Sequence, residues 1–391
     1  SKQAMRNNTS GSNGTYAFKS VPADQIYSVI PERNDDPLNG VSTRDLIFIQ
    51  RHLLGYEEFT DPVQFIAADI NNSAGVSAKD IVELRKLILG IKNSFEEVEA
   101  DQRSWRFVDA KHVFANPIAP YDYPESITFE PLTQNELDAD FMGIKIGDID
   151  GNARANNFMT TQTRSNEAMH LVYDERTVEK GQQVIIPIRS AEFDQITGMQ
   201  FTAEFNTDKL IVTDIAPGTI RIDEQFVNLD NTQDGWFTLS WNSEDPISAG
   251  ADEVLFSIVA EAVNTTNLNG TIEISSKVTG AEAYKGRSYE VIHVQLGPDQ
   301  QVVEAGFQLL QNIPNPFTQE TAIGYVLPET MDATLSIYDQ NGKVLWLQVF
   351  EGVKGYNEVI VKSSEIPASG ILYYQLDTET FTDTKRMVHI K

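Results

Sequence analysis

Two stretches of this chain repeat each other at a fixed offset, and the repeat dictates how residues 32–90 fold. Residues 40–55 read GVSTRDLIFIQRHLLG and residues 75–90 read GVSAKDIVELRKLILG. Gly40 and Gly75, Asp45 and Asp80, and Gly55 and Gly90 are each 35 residues apart. Ser42 and Ser77 stand three residues before an acid, the spacing at which hydroxyl and carboxylate satisfy each other's backbone N–H at a helix start. Apolar residues then recur at helical spacing, Leu46, Ile49 and Leu53 in one copy and Ile81, Leu84 and Ile88 in the other. Each copy ends on a glycine where a helix needs a left-handed cap. The repeat therefore predicts two loop–helix units whose helices form a pair.

The loop before the second helix has the chemistry of a calcium site. Asp69, Asn71 and Ser73 fall at positions 1, 3 and 5, the Gly75 carbonyl at 7, Ser77 at 9 and Asp80 at 12. Hard oxygen donors at alternating positions of a twelve-residue loop, closed by a helix-borne carboxylate, wrap a calcium ion. The closing ligand is Asp rather than Glu, and no helix is expected before the loop. Both departures from the EF-hand are features of dockerin modules, which residues 32–155 resemble. The resemblance implies a small α-helical calcium-binding module. The competing reading is a polar loop in which Asp80 only caps the helix.

The first loop is degenerate. Counting back from Asp45 puts Asn34 at position 1 and Asp36 at position 3, but Pro37 and Leu38 occupy positions 4 and 5, and a leucine donates nothing. The segment DIDGN at 148–152 has donors Asp148, Asp150 and Asn152 at i, i+2 and i+4, yet Met159 stands at its twelfth place. It is either a partial third site or a donor to the first. Between the second helix and Asp148 runs an insertion rich in aromatics and proline. Trp105 and Phe107 there are expected to cover the helix pair rather than to bind sugar.

Residues 169–297 alternate strand-like runs with polar turns: 184–188, 198–205, 209–212, 236–241, 253–260 and 271–275. Many short strands at this spacing predict a β-sandwich. Alternation puts Phe237, Leu239 and Trp241 on one face, with Trp241 in the core. Trp236 falls on the other, as a binding aromatic or an edge residue. Gly181, GMQF at 198–201, FNTDKLIV at 205–212 and LFSIVA at 255–260 give this region a resemblance to a cohesin.

The last segment, residues 307–391, is also β. Asn341-Gly342 between alternating runs at 333–339 and 343–350 predicts a two-residue hairpin with positive φ at both positions. Its motifs are QLLQNIPNPF (308–317), TAIGYVLP (321–328), IYDQNGK (337–343), SGILYYQL (369–376) and the closing TKRMVHIK (384–391). Taken in order, they resemble the C-terminal sorting domain of the type IX secretion system of Bacteroidetes. That resemblance implies export across the outer membrane, with the secretion machinery as a partner, and an extracellular or cell-surface location.

Charge limits what such a protein binds. Fifty-seven acidic residues against 30 basic ones leave a net charge of −27, which repels phosphate backbones and anionic lipid and attracts divalent cations. Nucleic acid is an unfavourable partner. The absence of cysteine excludes disulfides and thiolate metal sites, and no run approaches the ~20 apolar residues of a membrane helix. The five histidines, at 52, 112, 170, 293 and 389, are scattered, and neither a Gly-x-Ser-x-Gly elbow nor a phosphate-cradling glycine loop occurs. No catalysis is expected.

Residues 1–31, with strand-like runs at 14–18 and 27–31, read as the end of an upstream β-sandwich. They resemble the close of carboxypeptidase-regulatory or collagen-adhesin B-type repeats, so the chain is expected to be the C-terminal piece of something longer. The expected protein is multidomain and mainly β, with Ig-like or jelly-roll sandwiches plus the helical module. Polar linkers are expected at 153–166 and 297–305. Its expected role is the non-catalytic end of a secreted surface adhesin or appendage, with calcium as cofactor and other copies or modules of the same protein as partners. The alternative is the targeting and scaffolding tail of a secreted hydrolase.

Overall fold

The computed structural model describes residues 6–11, 13–154, 168–298, 307–309, 312, 315–353 and 355–390. The chain forms two compact units, the first drawn mainly from residues up to Thr163 and the second mainly from those after it. Most of the regular structure is β.

In the first unit the two repeats become helices α1 (Thr43–Leu53) and α3 (Ala78–Ile88), each opened by a full capping box, Ser42 with Asp45 and Ser77 with Asp80. Gly55 and Gly90 follow the helix ends at φ +74° and +68°, the left-handed stop that the sequence predicts. A further helix, α2 (Pro62–Ala68), precedes the second loop, where none was expected. Its start is encoded locally. Asp61 accepts from Val63 N at 2.9 Å, the Gln64 side chain accepts from Asp61 N at 3.3 Å, and Pro62 sits where a missing N–H costs nothing. The helix has seven residues and stops at Asp69, the first residue of the loop.

The core of this unit joins Leu46, Ile49, Phe65, Ile66, Leu84 and Ile88 to residues of the insertion, notably Phe95, Val108, Ile144 and Ile146. Trp105 and Phe107 were expected to cover the helices. Val108 does so instead, because the strand Trp105–Asp109 pairs with Phe141–Lys145 and turns that side chain inward. Trp105 is buried under the Arg33 guanidinium, 4.9 Å from its ring centroid, and Phe107 is half-buried. Near the N-terminal end, residues 14–18 form no strand; Gln25–Val29 pairs antiparallel with Ile127–Leu132 of the insertion.

The second unit contains two sandwich-like cores. In the first, the larger sheet runs in the order Val227–Asn228, Trp236–Ile247, Ile196–Phe205, Glu282–Lys285, Glu290–Pro298 and Ala168–Tyr173, with Ile272–Ser275 also paired to Ile196–Phe205. A second sheet is built from Gln183–Ile188, Phe256–Ala262 and Leu210–Pro217. Strand Gln183–Ile188 shows the period of two plainly, with Val184, Ile186 and Ile188 buried and Ile185 exposed. Pro187 is tolerated because this strand lies at the edge of its sheet. Phe237, Leu239 and Trp241 are in the core, and Trp236 is half-buried with the Lys277 ammonium 5.1 Å above its ring. Gly297 and Pro298, expected as the start of a linker, instead pair with Val172 and Tyr173; residues 155–167 and 299–306 lie outside the described residues.

The last core holds two sheets, Gln308–Leu309, Glu320–Leu327 and Gly355–Lys362 in one, Val344–Gly352, Met331–Tyr338, Gly370–Thr378 and Thr382–His389 in the other. The hairpin at 339–343 differs from the predicted turn. Only Gly342 has positive φ (+78°), and the Asp339 carboxylate accepts from Asn341 N at 2.8 Å and Lys343 N at 3.0 Å. The side chain of Asp339 thus stabilises a longer turn with a bulge, which needs one left-handed residue rather than two.

Candidate metal centres

Asp80 closes the second loop from the first turn of α3. Its carboxylate is fully buried, with Ser77 N and Ser77 Oγ each donating to Oδ2 at 2.9 Å. Asn71 N and Asn71 Nδ2 donate to Oδ1 at 3.2 and 2.9 Å. Asp69 receives Ser73 N on Oδ1 and Ala74 N on Oδ2, both at 2.8 Å. Positive φ at Asn72 and Ala74 lets the backbone curl tightly enough to make those bonds. Burial pushes the Asp69 carboxyl above its ordinary range. Asn71, 6% exposed, leaves its Oδ1 buried and without a hydrogen-bond donor. A buried acceptor left unpaired costs about 1–3 kcal/mol, and a cation beside it removes that cost.

The first copy is completed from a segment more than a hundred residues downstream. Asp148 receives Asn152 N on Oδ1 at 3.0 Å and Ala153 N on Oδ2 at 2.8 Å, the same i+4 and i+5 pattern that Asp69 makes. Asp45, also fully buried, receives Ser42 N on Oδ2 at 2.9 Å and Ile149 N on Oδ1 at 2.7 Å. Oxygens of Asp45, Asp148 and Asp150 lie within 4.8 Å of one another. The two segments meet where Ala74 and Gly75 are bonded in the second loop. A Cβ on Gly40 would sit 2.6 Å from the Ala153 backbone, and Asn39 exchanges hydrogen bonds with Arg154 N and O, both at 2.9 Å. Residues 148–153 thus stand as positions 1–6 and residues 40–45 as positions 7–12 of one interrupted loop.

Electrostatics fit that arrangement. Desolvation, then the charges of Asp150 and Asp148, push the Asp45 carboxyl well above its ordinary range. Burial pushes Asp148 up to about 7. Arg44 forms an ion pair with Asp150 at 2.9 Å and leaves the other two acids uncompensated by it. Lys145 is buried close by, but its Nζ donates to the carbonyls of Pro37 (2.8 Å) and Ile146 (2.9 Å).

Asn34 and Asp36, the sequence candidates for positions 1 and 3 of this loop, are not gathered to Asp45. Asn34 is used elsewhere, accepting from Ser104 N at 2.8 Å and donating to Glu96. Asp36 lies in a turn whose carbonyl takes Asn39 N at 3.2 Å, and its carboxylate does not join the three acids. The turn at 36–41 reverses the chain just before Gly40, so the preceding residues lead away from the loop and Asp148 and Asp150 take their place. Arg44, Asn39 and Arg154 carried no sequence signal, since each acts through a contact across the break.

Residues 169–289 match the family model of the cohesin domain. No curated protein matches the chain. Among solved structures, the chain is similar to a type I cohesin–dockerin complex, Coh-OlpA with Doc918, from Clostridium thermocellum, at 13% identity over 34% of this chain and 99% of that one, TM-score 0.27. The sixth cohesin of scaffoldin B from Acetivibrio cellulolyticus, in complex with the Cel5 dockerin, is 16% identical over 34% of this chain and 99% of its own, TM-score 0.26. CaCohA2 from Clostridium acetobutylicum is 15% identical over 35% and 94%, TM-score 0.27.

Proposed function

We propose that this protein is a non-catalytic scaffold of the cell surface, in which a cohesin-like sandwich makes module–module contacts and a dockerin-like helical module is braced by calcium. The match of residues 169–289 to the cohesin domain carries the association half of the reading. The orphaned Asn71 Oδ1 and the three converging acids support the metal half. Asp69, Asn71, Ser73, the Gly75 carbonyl and Asp80 would hold one ion, with Ser77 orienting Asp80. Asp148, Asp150, Asn152, the Gly40 carbonyl and Asp45 would hold another. Calcium would neutralise buried carboxylates and, by binding only the folded loops, stabilise the fold by mass action.

The terminal β-domain is read as a type IX export signal. Its opening and closing motifs are joined in space: Asn315 Oδ1 accepts from Val388 N at 2.7 Å, Phe317 N donates to Val388 O at 3.0 Å and Ile390 N to Phe317 O at 2.8 Å. Leu310, Gln311, Ile313 and Pro314 of the opening motif lie outside the described residues. Copies of the chain are the proposed partners. Light scattering of the full chain with calcium is expected to show self-association that chelator reverses; a strict monomer at every concentration in both buffers would remove pairing between copies.

A further inference from the structure

We infer that Gln102 is a positioning residue for the 69–80 loop: it holds the backbone of positions 1 and 2 so that Asp69 and Asn71 present their oxygens to a calcium ion. The inference rests on the calcium reading of that loop. Gln102 comes from the insertion, is 1% exposed, and donates from Nε2 to the carbonyls of Asp69 (2.8 Å) and Ile70 (3.1 Å). Its Oε1 accepts from Arg103 N (3.1 Å), Arg106 Nε (3.1 Å) and Arg106 Nη2 (2.8 Å). Arg106 is held in turn by the Glu125 carboxylate (3.1 Å) and the Asp101 carbonyl (3.0 Å).

The amide nitrogen of a buried glutamine is therefore spent on joining the insertion to the start of the loop, and its oxygen on anchoring the side chain within the insertion. The side chains of Asp69 and Asn71 leave the backbone on either side of the peptides whose carbonyls Gln102 grips. Fixing those peptides fixes the direction of both side chains. The insertion also encloses this end of the loop. A cavity of about 80 Å³, room for water rather than a larger ligand, lies between Asp69 and Ala74 on one side and Gln102, Arg106, Tyr121 and Tyr123 on the other.

The test is calcium release from the full chain on mixing with a fluorescent chelator, with thermal melting in parallel. Wild type is expected to release ions from two sites, and Asp69→Ala to remove one of them. Gln102→Ala is expected to speed release from that same site roughly tenfold, the effect of one or two lost hydrogen bonds, and to leave the other site unchanged. It is also expected to lower the melting temperature more in calcium than in chelator, a difference that loss of simple packing would not produce. If Gln102→Ala does not fold, Arg106→Ala removes the donors that orient Oε1 and is expected to shift the same site. Unchanged release in the variant that folds overturns the role of Gln102. A wild type with no ion that Asp69→Ala removes overturns instead the calcium reading beneath it.

Discussion

Single carboxyl groups set the conditions under which the helical module is stable. An unfolded Asp148 titrates near 3.8, whereas burial in the fold raises it to about 7. The folded chain therefore holds an extra proton between those values. Without calcium, the stability linked to that proton is fully present below pH 3.8 and is lost as pH rises through about 7. Calcium held by Asp148 would need the ionised carboxylate, so its contribution would have the opposite slope. Melting in chelator is expected to weaken from pH 5 to pH 8, while the rise in melting temperature on adding calcium grows over the same range; a calcium effect that is flat with pH would exclude Asp148 from the site. Two glycines at the same loop position give a second test. Gly40→Ala is expected to cost at least about 2 kcal/mol by denaturant melting, because φ is +72° and the new Cβ would meet the Ala153 backbone. Gly75→Ala, with no atom within 4 Å of the Cβ and no positive φ, is expected to change stability by less than about 0.5 kcal/mol.

Helices were legible where a capping signal and an apolar period coincide. The capping boxes at Ser42 and Ser77 and the left-handed glycines at 55 and 90 appear where the repeat predicts them, because each needs only residues within one helical turn. The helix at Pro62–Ala68 was legible in the same way from Asp61-Pro62 and Gln64, and was missed because its seven residues are too few for a clear apolar period. The hairpin at 339–343 went to a different turn because the Asp339 side chain supplies two hydrogen bonds that a two-residue turn does not use. Gly342→Ala is expected to cost about 1 kcal/mol by thermal melting, whereas Asn341→Ala, outside the left-handed region, is expected to cost less. In α3, Leu84 is fully buried against the insertion as well as α1, so Leu84→Ala is expected to cost about 2–5 kcal/mol.

Among the described residues the apolar side chains form three separate cores, one under the helices and two inside β-structure. Among the described residues, the acids that converge on a candidate metal site lie beside the first of these. Calorimetry is therefore expected to resolve a transition that moves down in chelator from others that stay in place; a uniform shift of all transitions would argue that calcium acts elsewhere. The amino-acid sequence by itself determined the loop–helix repeat, the alternation of the strands and the placing of Asp69, Asn71 and Asp80 in one twelve-residue loop. Those features are written within a dozen residues, and turn chemistry and periodicity act at that range. Tertiary structure alone decided that Asp148 and Asp150 displace Asn34 and Asp36, that residues 40–45 and 148–153 make one loop, and that Gln102 grips the other. Each of those outcomes depends on which distant backbone N–H or carbonyl arrives beside a buried side chain, and no local spacing records that.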